Sequence, residues 1–106
     1  MLRRAVENVV RNAIRYAPPG TTVSVGVETS ATVANIHVRD YGPGVPEDAL
    51  PKLFHPFFRV ESARDSASGG TGLGLAIAQR AVAVHSGNIT AQNANPGLLV
   101  IISVPT

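Results

Sequence analysis

The chain has 106 residues, a formal net charge of +2 and a hydrophobic content of 44%, which fits one globular domain and excludes a disordered chain. It contains no cysteine, so disulfides and thiolate metal sites are excluded. No apolar run approaches the roughly 20 residues that span a bilayer, so we expect no direct membrane contact. The 9 basic and 7 acidic residues form no basic stripe, so nucleic-acid binding is not expected.

The first half of the chain predicts a helix followed by a β-hairpin. Apolar residues recur at helical spacing over 2–17, and Pro18-Pro19-Gly20 ends that helix. Alternating valines predict a strand over 22–28, and 33–40 is its expected hairpin partner.

The second half predicts a loop, a mobile connection, a helix and a second hairpin. The segment 61–70 is rich in serine and glycine, which favours mobility. The other predicted elements are a loop at 41–46, a short helix at 47–53, an aromatic connector at 54–60, a helix at 73–85 and strands at 88–92 and 98–104. This order predicts an α+β fold, with helices on one face of a mixed, mostly antiparallel sheet.

Two asparagines mark one flank of the first predicted helix. Asn8 and Asn12 are one turn apart, and Arg15 and Tyr16 share their flank. Two amide oxygens at this spacing can bind a hard cation such as Mg²⁺, which keeps several waters and needs few protein ligands. The alternative is a solvated helix face, although asparagine is a poor residue for a helix interior.

The sequence Asp40-Tyr41-Gly42-Pro43-Gly44 ends the second predicted strand. A carboxylate at a strand end can accept a hydrogen bond from an exocyclic amine, and glycines allow a flat base to approach the backbone. The alternative is an ordinary Asp-x-Gly turn.

All 3 phenylalanines of the chain lie close together, at Phe54, Phe57 and Phe58. Clustered aromatic side chains before a polar segment can anchor a lid or contact a partner protein. The alternative is a small hydrophobic cluster beneath a loop.

Three glycines alternate in Gly70-Thr71-Gly72-Leu73-Gly74-Leu75, and a helical pattern follows. A glycine-rich segment that opens a helix exposes backbone N–H groups, and the helix N-terminus attracts anions. The stretch therefore predicts a phosphate-binding site, in which the Thr71 hydroxyl either contacts a phosphate or caps the helix.

In order and spacing, these four motifs resemble the N, G1, F and G2 boxes of bacterial sensor histidine kinases over nearly the whole chain. The resemblance is to their catalytic ATP-binding domain, which shares a superfamily with gyrase and MutL. It implies a two-layer Bergerat-type α/β sandwich over 1–106, with a flexible lid at about 61–70. The family's domain usually has strand and helix residues before the N box, so the resemblance implies a shortened domain with an uncovered sheet edge.

The resemblance also implies site residues and their roles. Asn12 resembles the main Mg²⁺ ligand, with Asn8 beside it, and Asp40 resembles the carboxylate that recognises the adenine amine. The implied ATP-binding residues are Asn8, Asn12, Arg15, Tyr16, Asp40, Gly42, Gly44, Arg59, Gly70, Thr71, Gly72, Leu73, Gly74 and Leu75. Tyr16 would pack on adenine, and Arg15 and Arg59 would approach the phosphates. The implied lid-coupling residues are Phe54, Phe57 and Phe58.

The implied activity is that of the ATP-binding part of a protein-histidine kinase, and the implied location of this domain is the cytoplasmic side of a membrane-bound sensor. It binds Mg-ATP or ADP and supplies the γ-phosphate to a histidine on a separate dimerisation domain, upstream of a response regulator. His37, His55 and His85 lack the context of a phosphoacceptor, so we predict structural roles for them and no catalytic residue in this chain. The alternatives are an anti-sigma-factor-type Ser/Thr kinase, a gyrase- or MutL-type ATPase, and a non-catalytic nucleotide-sensing or protein-interaction module.

Overall fold

A computed structural model describes residues 2–56, 58 and 74–106. In chain order, the elements are helix α1 (Leu2–Tyr16), strands β1 (Ser24–Thr29) and β2 (Val33–Arg39), a 3-10 helix (Glu47–Lys52), helix α2 (Gly74–Val84), and strands β3 (Asn88–Asn93) and β4 (Leu98–Pro105). The predicted α+β fold is confirmed, with small shifts at the ends of elements. One shift matters for the site, because β2 ends at Arg39 and leaves Asp40 as the first residue beyond the strand.

The four strands form one sheet in the order β1-β2-β4-β3. Every strand pair within the described residues is antiparallel. Both predicted hairpins are present, and β2 pairs with β4 so that Val38 lies opposite Val100 and Arg39 opposite Leu99. This register places the end of β2 beside the start of β4, where the two hairpins meet.

Both α-helices pack on one face of the sheet, which forms the predicted two layers. Side chains in β4 alternate between buried and half-buried, as expected for a central strand that a helix layer covers on one side. The core comprises Ala5, Val9, Ala13, Val38, Leu53, Leu75, Ala78, Ala81, Val82, Ile89, Leu98, Val100, Ile102 and Val104. The small alanines of α1 and α2 allow the two helices to pack closely side by side.

Strand β1 is an edge of the sheet, and all six of its residues are exposed. Val25 and Val27 are 53% and 63% exposed. They pair with Val38 and Ile36, so they lie on the helix-facing side of the sheet. Helix α1 contacts β2 and β4, while α2 contacts β3 and β4. The described residues therefore leave this apolar edge uncovered.

Several predicted features lie outside the described residues. They are the lid at 61–70, Phe57, Arg59 and the first four residues of the glycine stretch, Gly70, Thr71, Gly72 and Leu73. Among the helices that the structure does describe, none is both long enough and apolar enough to cross a membrane.

Candidate functional site

Asp40 is the one buried polar or charged residue in the described part of the chain, at 3% exposed. Its backbone N–H donates to the Leu98 carbonyl oxygen at 3.1 Å, and its carboxylate Oδ1 accepts the Gly42 N–H at 2.9 Å. The second contact also occurs in ordinary Asp-x-Gly turns. An ordinary turn is exposed, however, whereas burial of a carboxylate is unfavourable unless polar groups satisfy it. Asp40 is thus a buried acceptor held in place by backbone hydrogen bonds, as recognition of a ligand amine requires.

The loop after Asp40 rests directly on the last turn of α1. A Cβ atom on Gly42 would lie 2.5 Å from the Tyr16 carbonyl oxygen and 3.2 Å from Asp40 Oδ1. The approach is therefore close enough that only glycine fits without movement. It places the Asp40 carboxylate and the C-terminal half of α1 at one location.

The predicted polar flank of α1 is half-buried. Asn8, Asn12, Arg15 and Tyr16 all keep partial exposure, whereas Arg3, Arg4 and Arg11 on the outer side of the helix are exposed. A solvated helix face would leave the asparagines as exposed as those arginines. Asn12 is one turn before Tyr16, whose carbonyl contacts the Asp40 loop. The flank can therefore present amide oxygens beside that loop, which fits a hard cation.

The far end of the Asp40 loop is held by the turn between β3 and β4. Gly44 has a φ of 75°, and a Cβ atom there would lie 2.6 Å from Asn93 Oδ1. Asn93 Oδ1 accepts the Val45 N–H at 2.9 Å, and Asn93 Nδ2 donates to the Val45 carbonyl oxygen at 2.7 Å. Sequence reasoning missed Asn93, because an asparagine before a glycine-containing turn indicates only a hairpin.

Arg39 is a second residue that sequence reasoning missed. Its guanidinium lies 4.3 Å from the centroid of the Tyr41 ring, a cation–π distance. Its Nη2 donates to the Pro96 carbonyl oxygen at 3.0 Å, and the Tyr41 hydroxyl is 3.3 Å from Ser24 Oγ. Arg39 thus joins the residue after Asp40 to the β3–β4 turn.

The described end of the glycine stretch opens α2, as predicted. Gly74 is the first residue of the helix, and a Cβ atom there would contact nothing within 4 Å. The Leu75 side chain is 7% exposed and belongs to the core. Leu75 can therefore offer a ligand only its backbone, and its predicted role in ATP binding stays a prediction.

Two side chains of the aromatic cluster lie within the described residues, and both contribute to the core. Phe54 and Phe58 are half-buried and pack against the core residues. A groove of 620 Å³ lies beside Phe54, between the outer side of α2 and the start of β3, and it includes Ile77 and Arg80. The packing of Phe54 and Phe58 fits the alternative of a hydrophobic cluster, and the role of the three phenylalanines at a lid or partner protein stays a prediction.

Residues 1–106 match the protein family described as histidine kinase-, DNA gyrase B-, and HSP90-like ATPases, and the chain belongs to that family. It is 43% identical over 104 residues to the sensor protein PfeS of Pseudomonas aeruginosa, an alignment that covers 98% of this chain and 23% of PfeS. It is also 43% identical over 105 residues to the sensor histidine kinase CpxA of Escherichia coli K12, covering 98% of this chain and 22% of CpxA. The solved mycobacterial sensor histidine kinase MprB superposes with a TM-score of 0.87 at 37% identity, covering 96% of this chain and 70% of that one.

These relatives confirm the predicted histidine-kinase type of ATP-binding domain and its fold. The chain spans less than a quarter of the length of the curated relatives, at 23% and 22%. The individual site residues stay predictions, because the similarity extends along the whole chain and singles out none of them.

Proposed function

We propose that this chain binds Mg-ATP between the polar flank of α1, the Asp40 loop and the start of α2. It would hold the γ-phosphate for transfer to a histidine on another domain of a longer kinase. The observation that carries the proposal is Asp40, buried at 3% exposed and oriented by the Gly42 N–H at 2.9 Å. A fixed carboxylate accepts a hydrogen bond from the exocyclic amine of adenine and repels the carbonyl oxygen that guanine carries there.

Two solved relatives support the nucleotide and the partner. The full-length kinase ShkA, 26% identical with a TM-score of 0.76, was solved in complex with AMPPNP. The histidine kinase ThkA, 27% identical with a TM-score of 0.78, was solved in complex with the response regulator protein TrrA. We infer that this chain also takes an adenine nucleotide and serves a kinase that signals to a response regulator.

The phosphate end of the site suits a metal that is shared with the nucleotide. Within the described residues, no group of three or more His, Cys, Asp or Glu side chains is placed to hold a metal ion. Mg²⁺ commonly uses only one or two protein oxygens together with phosphate oxygens, and the half-buried amides of Asn8 and Asn12 can supply them. When bound, the metal would neutralise charge on the phosphates.

The chain's own contribution to the chemistry is positioning. Phosphoryl transfer depends mainly on alignment of the reacting groups and on charge neutralisation. The Asp40 loop would fix the adenine end of ATP, and Asn12 and Arg15 would fix the phosphate end. The phosphoacceptor histidine would come from the dimerisation domain of the same kinase. We expect a cytoplasmic location because ATP is supplied there.

Calorimetric titration of the 106-residue chain with ATP and ADP, with and without Mg²⁺, tests this function. Asp40→Ala removes the acceptor for the adenine amine, and we expect it to weaken binding by about 1.5–3 kcal/mol. The matched control is Asp48→Ala, which removes the same charge at an exposed site on the 3-10 helix. Circular dichroism checks that each variant is folded. Unchanged ATP affinity in folded Asp40→Ala would overturn the proposal.

A further inference from the structure

The side chain of Asn93 pairs with one loop residue in the way that a neighbouring strand would. Its Oδ1 accepts the Val45 N–H at 2.9 Å and its Nδ2 donates to the Val45 carbonyl oxygen at 2.7 Å. Both backbone groups of Val45 are thereby satisfied by one side chain. Among side chains of this length, only asparagine carries an acceptor and an NH₂ donor on the same planar group, because an ionised aspartate only accepts.

The turn that follows Asn93 contacts the chain on both sides of Asp40. Gly97 has a φ of 91°, and a Cβ atom at this position would overlap the Asp40 carbonyl oxygen. Arg39 donates to the Pro96 carbonyl oxygen at 3.0 Å. The β3–β4 turn therefore holds the residue before Asp40, the backbone of Asp40 itself and, through Asn93, the end of the loop at Val45.

The loop between these anchor points has high intrinsic freedom. It contains Gly42 and Gly44, and glycine loses more conformational entropy on ordering than other residues. A ligand that had to order this loop would lose affinity and selectivity, whereas a loop ordered beforehand avoids that loss. The Gly42 N–H that orients the Asp40 carboxylate belongs to the same loop. The position of this N–H group therefore depends on the contacts that hold the two ends of the loop.

We propose that Asn93 is a positioning residue for adenine recognition, which sets the selectivity for ATP over GTP without contacting the nucleotide. This inference rests on the proposed function. Asn93 acts by fixing Val45, and through it the glycine-containing loop that orients Asp40. Loss of the Asn93 contacts would let the loop move relative to Asp40, so the amine of adenine and the carbonyl of guanine would be less well distinguished.

A purely structural role makes a different prediction for selectivity. A less stable protein has a smaller folded fraction, which lowers the apparent affinity for ATP and for GTP by the same factor. The ratio of the two affinities then stays constant. A positioning role lowers the ATP affinity more than the GTP affinity, so the ratio itself falls.

The experiment measures the dissociation constants of Mg-ATP and Mg-GTP by calorimetry, together with urea unfolding, on the full chain. The variant is Asn93→Ala, and its control is Asn35→Ala. Asn35 is another half-buried strand asparagine, and its Oδ1 accepts a hydrogen bond from Ser103 Oγ at 2.5 Å, away from the Asp40 loop.

We expect Asn93→Ala to lower the ATP/GTP affinity ratio about tenfold, as the loss of one well-placed hydrogen bond would. Asn35→Ala should leave the ratio unchanged even where urea shows a loss of stability.

Asn93→Asp provides a second variant that retains part of the contact. It keeps the acceptor for the Val45 N–H but places a carboxylate oxygen against the Val45 carbonyl, so the ratio should again fall. An unchanged ratio in folded Asn93→Ala or Asn93→Asp would overturn the inference. Asp40→Asn distinguishes the two proposals. If Asp40→Asn reduces the ratio and the Asn93 variants do not, the proposed function is supported and the positioning role of Asn93 is rejected. If no variant changes the ratio, or the wild type binds neither nucleotide, both proposals fail.

Discussion

Addition of one methyl group at Gly42 would separate the Asp40 loop from α1. The new Cβ atom would lie 2.5 Å from the Tyr16 carbonyl oxygen, whereas ordinary contacts begin at 3.4 Å. The loop must therefore move by about 0.9 Å, the difference between these distances. We expect Gly42 to move away from Asp40 as well, because the new Cβ atom would also lie 3.2 Å from Oδ1. A shift of that size lengthens the 2.9 Å hydrogen bond from Gly42 N–H to Oδ1 beyond the hydrogen-bonding range.

The consequence of Gly42→Ala is a loss of about 1.5–3 kcal/mol in ATP binding, because a hydrogen bond to a charged acceptor is lost at the site. The matched control is Gly26→Ala on β1, where a Cβ atom would meet nothing within 4 Å. Calorimetric titration with Mg-ATP measures binding, and thermal unfolding measures stability. Weaker ATP binding by Gly42→Ala, with Gly26→Ala like the wild type, is the expected result. Equal ATP affinity in all three proteins would refute the close approach of the loop to α1 as a requirement for binding.

Other substitutions examine the metal, the core and the β3–β4 turn. Asn12→Ala should weaken ATP binding more in the presence of Mg²⁺ than in its absence, and equal losses in both titrations would contradict a role at the metal. Ile102→Val, at a residue 0% exposed, should lower the free energy of unfolding in urea by about 1 kcal/mol. Ile77→Val, at a residue 46% exposed, should change the free energy of unfolding little. A similar loss of stability in both variants would contradict the placement of Ile102 in the core. Gly97→Ala should lower the free energy of unfolding by about 1–3 kcal/mol or more. The reason is that φ at this residue is 91° and the added methyl group would overlap the Asp40 carbonyl oxygen. Unfolding like that of the wild type would contradict the contact.

The helices and strands could be predicted because their signals are local. The apolar spacing in α1 and the alternation in β4 each lie within one element, and the observed bounds differ only slightly from the predicted ones. Asp40 could be singled out for the same reason, since the glycines that mark its loop follow it directly. The residues that hold the loop could not be predicted from local patterns. Val45 and Asn93 are 48 residues apart, and they come together because β2 and β3 both pair with β4.

The antiparallel pairing of β2 with β4 also explains why a hairpin turn belongs to the proposed nucleotide site. Arg39 is the last paired residue of β2 and lies opposite Leu99 near the start of β4, so the next residue, Asp40, emerges beside the β3–β4 turn. A carboxylate at this position is buried between α1 and the turn. The backbone of Tyr16 in α1 lies against Gly42, and Gly97 of the turn lies against the backbone of Asp40. An Asp-x-Gly-x-Gly sequence elsewhere on the surface would form the same local turn without the backbone contacts from α1 and from the β3–β4 turn. The proposed recognition of adenine would therefore depend on the strand order as much as on the motif.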